Sequence, residues 1–189
     1  RLCVGLSGGC DSVVLLHVLA GLGFGDRLRV VHVHHGLSVN ADRWAEFCAE
    51  YCRRLGIGFL TEHVTVDRNS ALGLEAAARA ARYEVFARRA GDLLLLGHHR
   101  GDQAETLLFN LLRGAGVAGT AAIPAERRQQ RLRILRPLLD VSREEIEAYA
   151  RAHRLDWVDD ESNCDTGLTR NFLRHQVLTV LAGRFPAAE

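Results

Sequence analysis

The sequence predicts an α/β protein: a doubly wound, mostly parallel five-stranded sheet with helices on both faces. Three observations carry this. Short Val- and Leu-rich runs alternate with longer segments of helical periodicity, the pattern of strands joined by crossover helices. The run DLLLLG at 92–97 is continuously apolar, as a central parallel strand buried on both faces must be. The chain also turns polar after one predicted strand after another, where open α/β sheets bind their ligands.

Taken in order, residues 2–6 read as a short buried strand and 11–22 as a helix. LRVVHVHH (28–35) is a β-branched second strand. Asn40 is placed to N-cap a helix over about 41–55, where Trp44, Phe47, Cys48, Tyr51 and Cys52 make one apolar stripe. Residues 57–66 read as strand, 74–90 as helix and 92–97 as the central strand. In the next helix, Ala104, Leu107, Leu108, Leu111 and Leu112 form an expected core stripe, stopped by Gly114. Residues 132–136 are the fifth strand, and Ser142 with Glu145 is a capping box opening a helix to about 153. A polar stretch, 159–169, leads into a last helix near 170–182. The expectation is one domain over 1–189, helical from about 140.

Composition narrows the class. The chain is 48% hydrophobic and 25% charged, ordinary for a globular domain, and no apolar run approaches a membrane span. Five Cys without paired spacing point to a reducing compartment, hence a cytoplasmic protein. There is no Met, which reads as a fragment or a short chain lacking its start. There is also no Lys: all 24 basic residues are Arg, so neither a Walker lysine nor a Schiff base is available. A net charge of +1 does not by itself argue for nucleic acid.

Four clusters carry chemistry. Ser7, Gly8, Gly9, Cys10, Asp11 and Ser12 lie between the first strand and helix. A Gly-rich turn at a helix N-terminus cradles anions, and its hydroxyls add donors. Asp11 would repel phosphate unless a divalent cation lay between, which implies Mg²⁺. Asp102 and Glu105, three apart, share a helix face opposite the leucines, and Arg113 comes round to the same side. Two acids there suit a cationic amine, or simply a solvated face. His32, His34, His35, His98 and His99 crowd two strand ends, where a zinc site is the less favoured reading. Cys48 and Cys52 fall in the apolar stripe, which favours core packing over iron–sulfur ligation. Arg170 and Arg174 face one way beside Asn171, and Arg127, Arg128, Arg131, Arg133 and Arg136 form a second basic cluster. Such forks suit phosphate or RNA, or a solvated surface.

Together these stretches resemble one family. SGGCDS (7–12) resembles the loop of the N-type ATP pyrophosphatases, which cleave ATP between its α- and β-phosphates without a Walker lysine. VHVHHGL (31–37), EAAARAARYEVF (75–86), GHHRGDQAETLLFNLLRGAG (97–116), RPLLDVSREEIEAYA (136–150) and DDESNCDTGLTRNFLRHQVL (159–178) are similar to the tRNA(Ile)-lysidine synthetase family. The resemblance implies a Rossmann-like fold and an ATP-dependent ligation. The carbon-2 oxygen of the wobble cytidine, in a CAU anticodon, is adenylated, and the ε-amine of lysine then displaces AMP. Ser7–Ser12 and His34 would hold ATP, Asp11 its Mg²⁺, and Asp102 and Glu105 the amine. His98, Arg113, Arg170, Asn171 and Arg174 are implied for the nucleotide and the tRNA. The chain departs from the family pattern at Gly101, where a second Asp is usual, and at Thr179, usually proline. The C-terminal tRNA-binding domains of the family would be absent.

Overall fold

The protein is described here by a computed structural model covering residues 2–71, 73–116 and 121–185. Strands β1 (Leu2–Gly5), β2 (Leu28–His34), β3 (Gly58–His63), β4 (Leu93–Leu95), β5 (Glu126–Gln129) and β6 (Leu132–Leu135) form one sheet in the order β3-β2-β1-β4-β6-β5. Five run parallel, with Val4 beside Val30 and Cys3 beside Leu94, and β5 returns antiparallel along the β6 edge. The sheet thus has six strands rather than five. The extra strand, ERRQ, is exposed at every position, so it carries no apolar alternation from which to read it. Its charge suits an edge that must not recruit another strand.

Side chains alternate across the sheet and build two layers. On one face Val4, Leu6 and Val30 pack with α1 (Cys10–Leu19) and α2 (Ala41–Leu55), burying Val13, Leu16, Cys48 and Cys52. On the other, Cys3, Val31, Leu94 and Ile134 pack under Val85 and Phe86 of α3 (Leu74–Arg89). Each such aliphatic side chain contributes roughly 1.5–3 kcal/mol of burial. Helix α1 is buried on most sides, because α5 (Arg143–Ala152) covers its outer face through Ile146 and Ala150. The Ser142–Glu145 capping box opens α5 as expected, with bonds of 2.8 and 3.2 Å.

Two local expectations are corrected. Asn40 occupies the N-cap position of α2, but its side chain makes no cap. Its backbone N–H goes to Ser38 Oγ and its amide to Glu161, tying α2 to the polar stretch near the C-terminus. The leucine stripe of α4 (Arg100–Leu112) is not core either: Leu111 and Leu112 are 48% and 71% exposed. Among the described residues nothing covers these two side chains of its last turn. The deeply buried side chain of α4 is instead Glu105, 1% exposed. Gly114, at φ +75°, ends the helix as the sequence implied. Beyond β6 and α5, a 3₁₀ turn (Glu161–Cys164) leads to α6 (Thr169–Phe172), a π-helical turn (Leu173–Leu178) and α7 (Thr179–Arg184). No helix among the described residues is long and apolar enough to cross a membrane.

Candidate active site

The parallel strands point their carboxyl ends to one side, and the chemistry-bearing loops gather there. Ser12 Oγ is the keystone of the first loop: it donates to the Gly9 carbonyl at 2.9 Å and accepts from Ser7 N–H at 3.2 Å, with Ser7 Oγ 3.1 Å away. Gly9 caps α1 without a side chain: its carbonyl takes the Ser12 and Val13 N–H groups at 3.1 Å, and no side-chain oxygen covers the N–H groups of Cys10 and Asp11. At the positive end of a ten-residue helix, such an arrangement can accept an anion. Gly8 sits at φ +95°, and a Cβ there would come within 2.7 Å of Val158 Cγ2 and 3.2 Å of Cys48 Sγ. Gly8→Ala should therefore destabilise the fold by about 1–3 kcal/mol, as urea unfolding would show. An unchanged midpoint would mean that the loop is not clamped against Val158.

From this loop a string of ionisable side chains runs to α4. Asp11 Oδ2 lies 3.9 Å from His99 Nε2, which is 3.9 Å from Asp102 Oδ2. Asp102 Oδ1 is 3.9 Å from Arg174 Nη2, and Arg174 Nε bonds Glu105 Oε1 at 2.5 Å. His99, 3% exposed, is also the N-cap of α4: its Nδ1 accepts from Gly101 N–H at 3.0 Å, while Asp102 returns a bond to His99 N–H at 2.9 Å. Its Nε2 therefore carries the proton that faces the two acids. Burial pushes both Asp11 and Glu105 above the ordinary carboxylate range, against the pull of His99 on the one and Arg174 on the other.

The chain that carries this arrangement has known relatives. Residues 1–181 match the family model of the PP-loop domain. The chain belongs to the PP-loop domain family. It is 53% identical over 190 residues to a tRNA(Ile)-lysidine synthase of Pseudomonas syringae, covering 98% of this chain and 42% of that protein. It is 52% identical to the synthase of Aromatoleum aromaticum, covering 100% and 45%. The chain thus spans less than half the length of these curated relatives. Among solved structures, a U34-tRNA thiolase from Methanococcus maripaludis with its [4Fe-4S] cluster superposes with a TM-score of 0.80 at 20% identity, over 99% of this chain and 68% of that one. An NH3-dependent NAD synthetase from Campylobacter jejuni gives 0.51 at 18%, over 95% and 74%. These two show the fold alone.

Within the PP-loop domain, the remaining candidate residues divide by position. His98 stands at the exit of β4, its Nδ1 buried without a hydrogen-bond partner among the described residues, and burial pushes its pKa down to about 4, so it is neutral at pH 7. His34 ends β2 with Nε2 on Asp42 at 2.9 Å and its Nδ1 unpartnered. Both are at the ligand end of the sheet. His32 turns back to the Leu6 carbonyl and His35 faces Arg82. Among the described residues no group of three or more His, Cys, Asp or Glu side chains is placed to hold a metal. Cys48 and Cys52 are core residues, their thiols pushed up to about 12 by burial.

Arg113 lies away from the two acids. It sits over Phe109 at the far end of α4, eleven residues or about 16 Å along the helix from Asp102. Arg170 also approaches the Phe109 ring and pairs with Glu75 at 3.3 Å. Asn171 is buried and donates to the carbonyls of Ser162 and Asp165, which fixes the polar loop rather than presenting an amide to solvent. In the second basic cluster, Arg136 is buried against the Pro124 carbonyl and Arg133 pairs with Glu126, whereas Arg127, Arg128 and Arg131 face solvent on the edge hairpin. Sequence reading missed His99 as the link between Asp11 and Asp102. The signal was available, since it stands one residue before the first turn of α4. Gly101 also acquires a reason: a Cβ there would meet His99 Cε1 at 2.8 Å.

Proposed function

We propose that this PP-loop domain carries the catalytic site of a tRNA(Ile)-lysidine synthase. The observation that supports it best is the placement, at one sheet end, of a Gly-rich loop and a pair of acids, the half-buried Asp102 and the buried, part-satisfied Glu105, joined by the string from Asp11 to Glu105. The near-whole-chain likeness to lysidine synthases points the same way. In this reading the loop Ser7–Ser12 grips the triphosphate of ATP, with His34 and His98 beside the nucleotide. Mg²⁺ would be held from the protein side by the Asp11 carboxylate, beside the loop that takes the phosphates. When bound it would neutralise the charge that builds on departing pyrophosphate.

The carbon-2 oxygen of the wobble cytidine attacks the α-phosphorus, the α–β bond breaks and pyrophosphate leaves. The ε-amine of lysine then adds at carbon 2, and AMP departs with that oxygen. Asp102 and Glu105 receive the lysine as an ammonium ion. To attack, the amine must lose a proton, and a carboxylate held above its ordinary range is the better acceptor. The tRNA(Ile) partner would be held in part by Arg170 and by the open arginines of the edge hairpin, through phosphates rather than bases. A reaction on tRNA, together with five free thiols, suits the cytoplasm.

The test is direct. Incubated with ATP, labelled lysine and a CAU-anticodon tRNA(Ile), the protein should move label into RNA. Omission of ATP, or a change of the wobble cytidine, should prevent this. Label entering a tRNA that lacks the CAU anticodon equally well would contradict the substrate assignment.

A further inference from the structure

Glu105 holds an unusual position for an acid. It is 1% exposed, yet among the described residues only one of its oxygens finds a partner: Oε1 takes the Arg174 bond at 2.5 Å, while Oε2 is buried without a hydrogen bond. A buried carboxylate oxygen left open is costly unless a donor arrives. Arg174 is itself held from both sides. It lies in the π-helical turn Leu173–Leu178, a distortion that often marks a working site. Three residues before it, Asn171 donates to Ser162 and Asp165; one residue after it, the His175 ring bonds the Asn163 carbonyl at 2.8 Å. Glu161 in turn binds Ser38 and Asn40 at the head of α2. A side chain meant to swing out to a phosphate needs no such frame.

We propose that Arg174 is a positioning residue of the amine subsite: fixed by the Asn171 and His175 anchors, it engages Oε1 of Glu105 and keeps the group a carboxylate, with Oε2 left unpaired for the ammonium ion. The inference rests on the amine assignment made above. It moves Arg174 from the RNA surface to the interior of the site. The charges facing Glu105 are Arg174 from the π-turn, Asp102 on the same helix and Arg170 from α6. Burial and Asp102 favour the protonated acid, and the two arginines oppose them. Arg174 is the nearer, so its loss should let Glu105 take up a proton near neutral pH.

The experiment labels glutamate carboxyl carbons with ¹³C and follows Glu105, assigned by the signal lost in Glu105→Gln, through a pH titration. In Arg174→Gln the Glu105 midpoint should rise by about 1–3 units. Lysine titrated calorimetrically into the same variant should bind ten- to a hundredfold more weakly at pH 6 and recover towards pH 8. An unmoved midpoint overturns the proposal, and so does a shifted midpoint with unaltered lysine affinity. A flattened salt dependence of tRNA binding with no carboxyl shift would return Arg174 to phosphate contact. If the wild-type carboxyl responds as expected but lysine never binds, the amine assignment itself fails, and the proposal with it. Should Arg174→Gln not fold, Arg174→Lys carries the test: with the charge kept, the midpoint should stay within about one unit of wild type, and a larger rise contradicts the account.

Discussion

Asp11→Asn should lower ATP cleavage by about 10²–10³-fold, the usual cost of removing one electrostatic anchor of a transition state, with the fold intact. The side chain lies in the first turn of α1 and, among the described residues, makes no hydrogen bond that Asn would lose; His99 Nε2 is 3.9 Å away. Asn keeps the shape and removes the charge that would hold Mg²⁺ against the phosphates. AMP release and thermal melting, measured side by side, decide the matter. Normal AMP formation would exclude a metal role for Asp11. A large drop in melting temperature would mean that the carboxylate is structural.

Glu105→Gln should weaken lysine use ten- to a hundredfold, as expected when a charge-assisted hydrogen bond worth roughly 1.5–3 kcal/mol is lost. ATP binding should be spared. Stability should respond in a direction that the burial of the group sets. The Glu105 carboxyl is held above its ordinary range in the folded protein, chiefly by desolvation. Its ionisation therefore favours the unfolded chain. Relative to the Glu105→Gln variant, wild type should lose stability as pH rises from the ordinary carboxylate range through the raised folded value. The two should converge in acid, where Glu105 is protonated in both states. The amide of the variant can still accept the Arg174 bond. Melting curves at pH 4 and pH 8 test this; a variant markedly less stable at pH 8 would show that the ion pair outweighs desolvation.

Most of the fold and part of the site were legible in the sequence, for reasons that differ by element. The parallel strands and α1 announce themselves because burial on two faces demands unbroken apolar runs such as DLLLLG. The Ser142–Glu145 box and Gly114 could be placed because capping is local chemistry. Strand β5 could not, since an exposed edge imposes no pattern. The leucines of α4 misled because helical periodicity reports which residues share a face, not whether anything covers it. The shared face of Asp102 and Glu105 followed from the same periodicity. Their meeting with Arg174 did not, because a contact across 69 residues depends on a π-turn that breaks the 3.6-residue spacing. The capping role of His99 was hidden beside His98, since two adjacent histidines give no hint of which one faces the acids.

The central claim is that one site both splits ATP at the α–β bond and delivers an amine to the activated base. Its most direct measurement is the ratio of products when α-labelled ATP, labelled lysine and CAU-anticodon tRNA(Ile) are supplied together. The account predicts one AMP for each lysine joined to RNA, no ADP, and loss of both products in Asp11→Asn. ADP as the labelled product, or AMP released at the same rate with no lysine entering RNA, would contradict it.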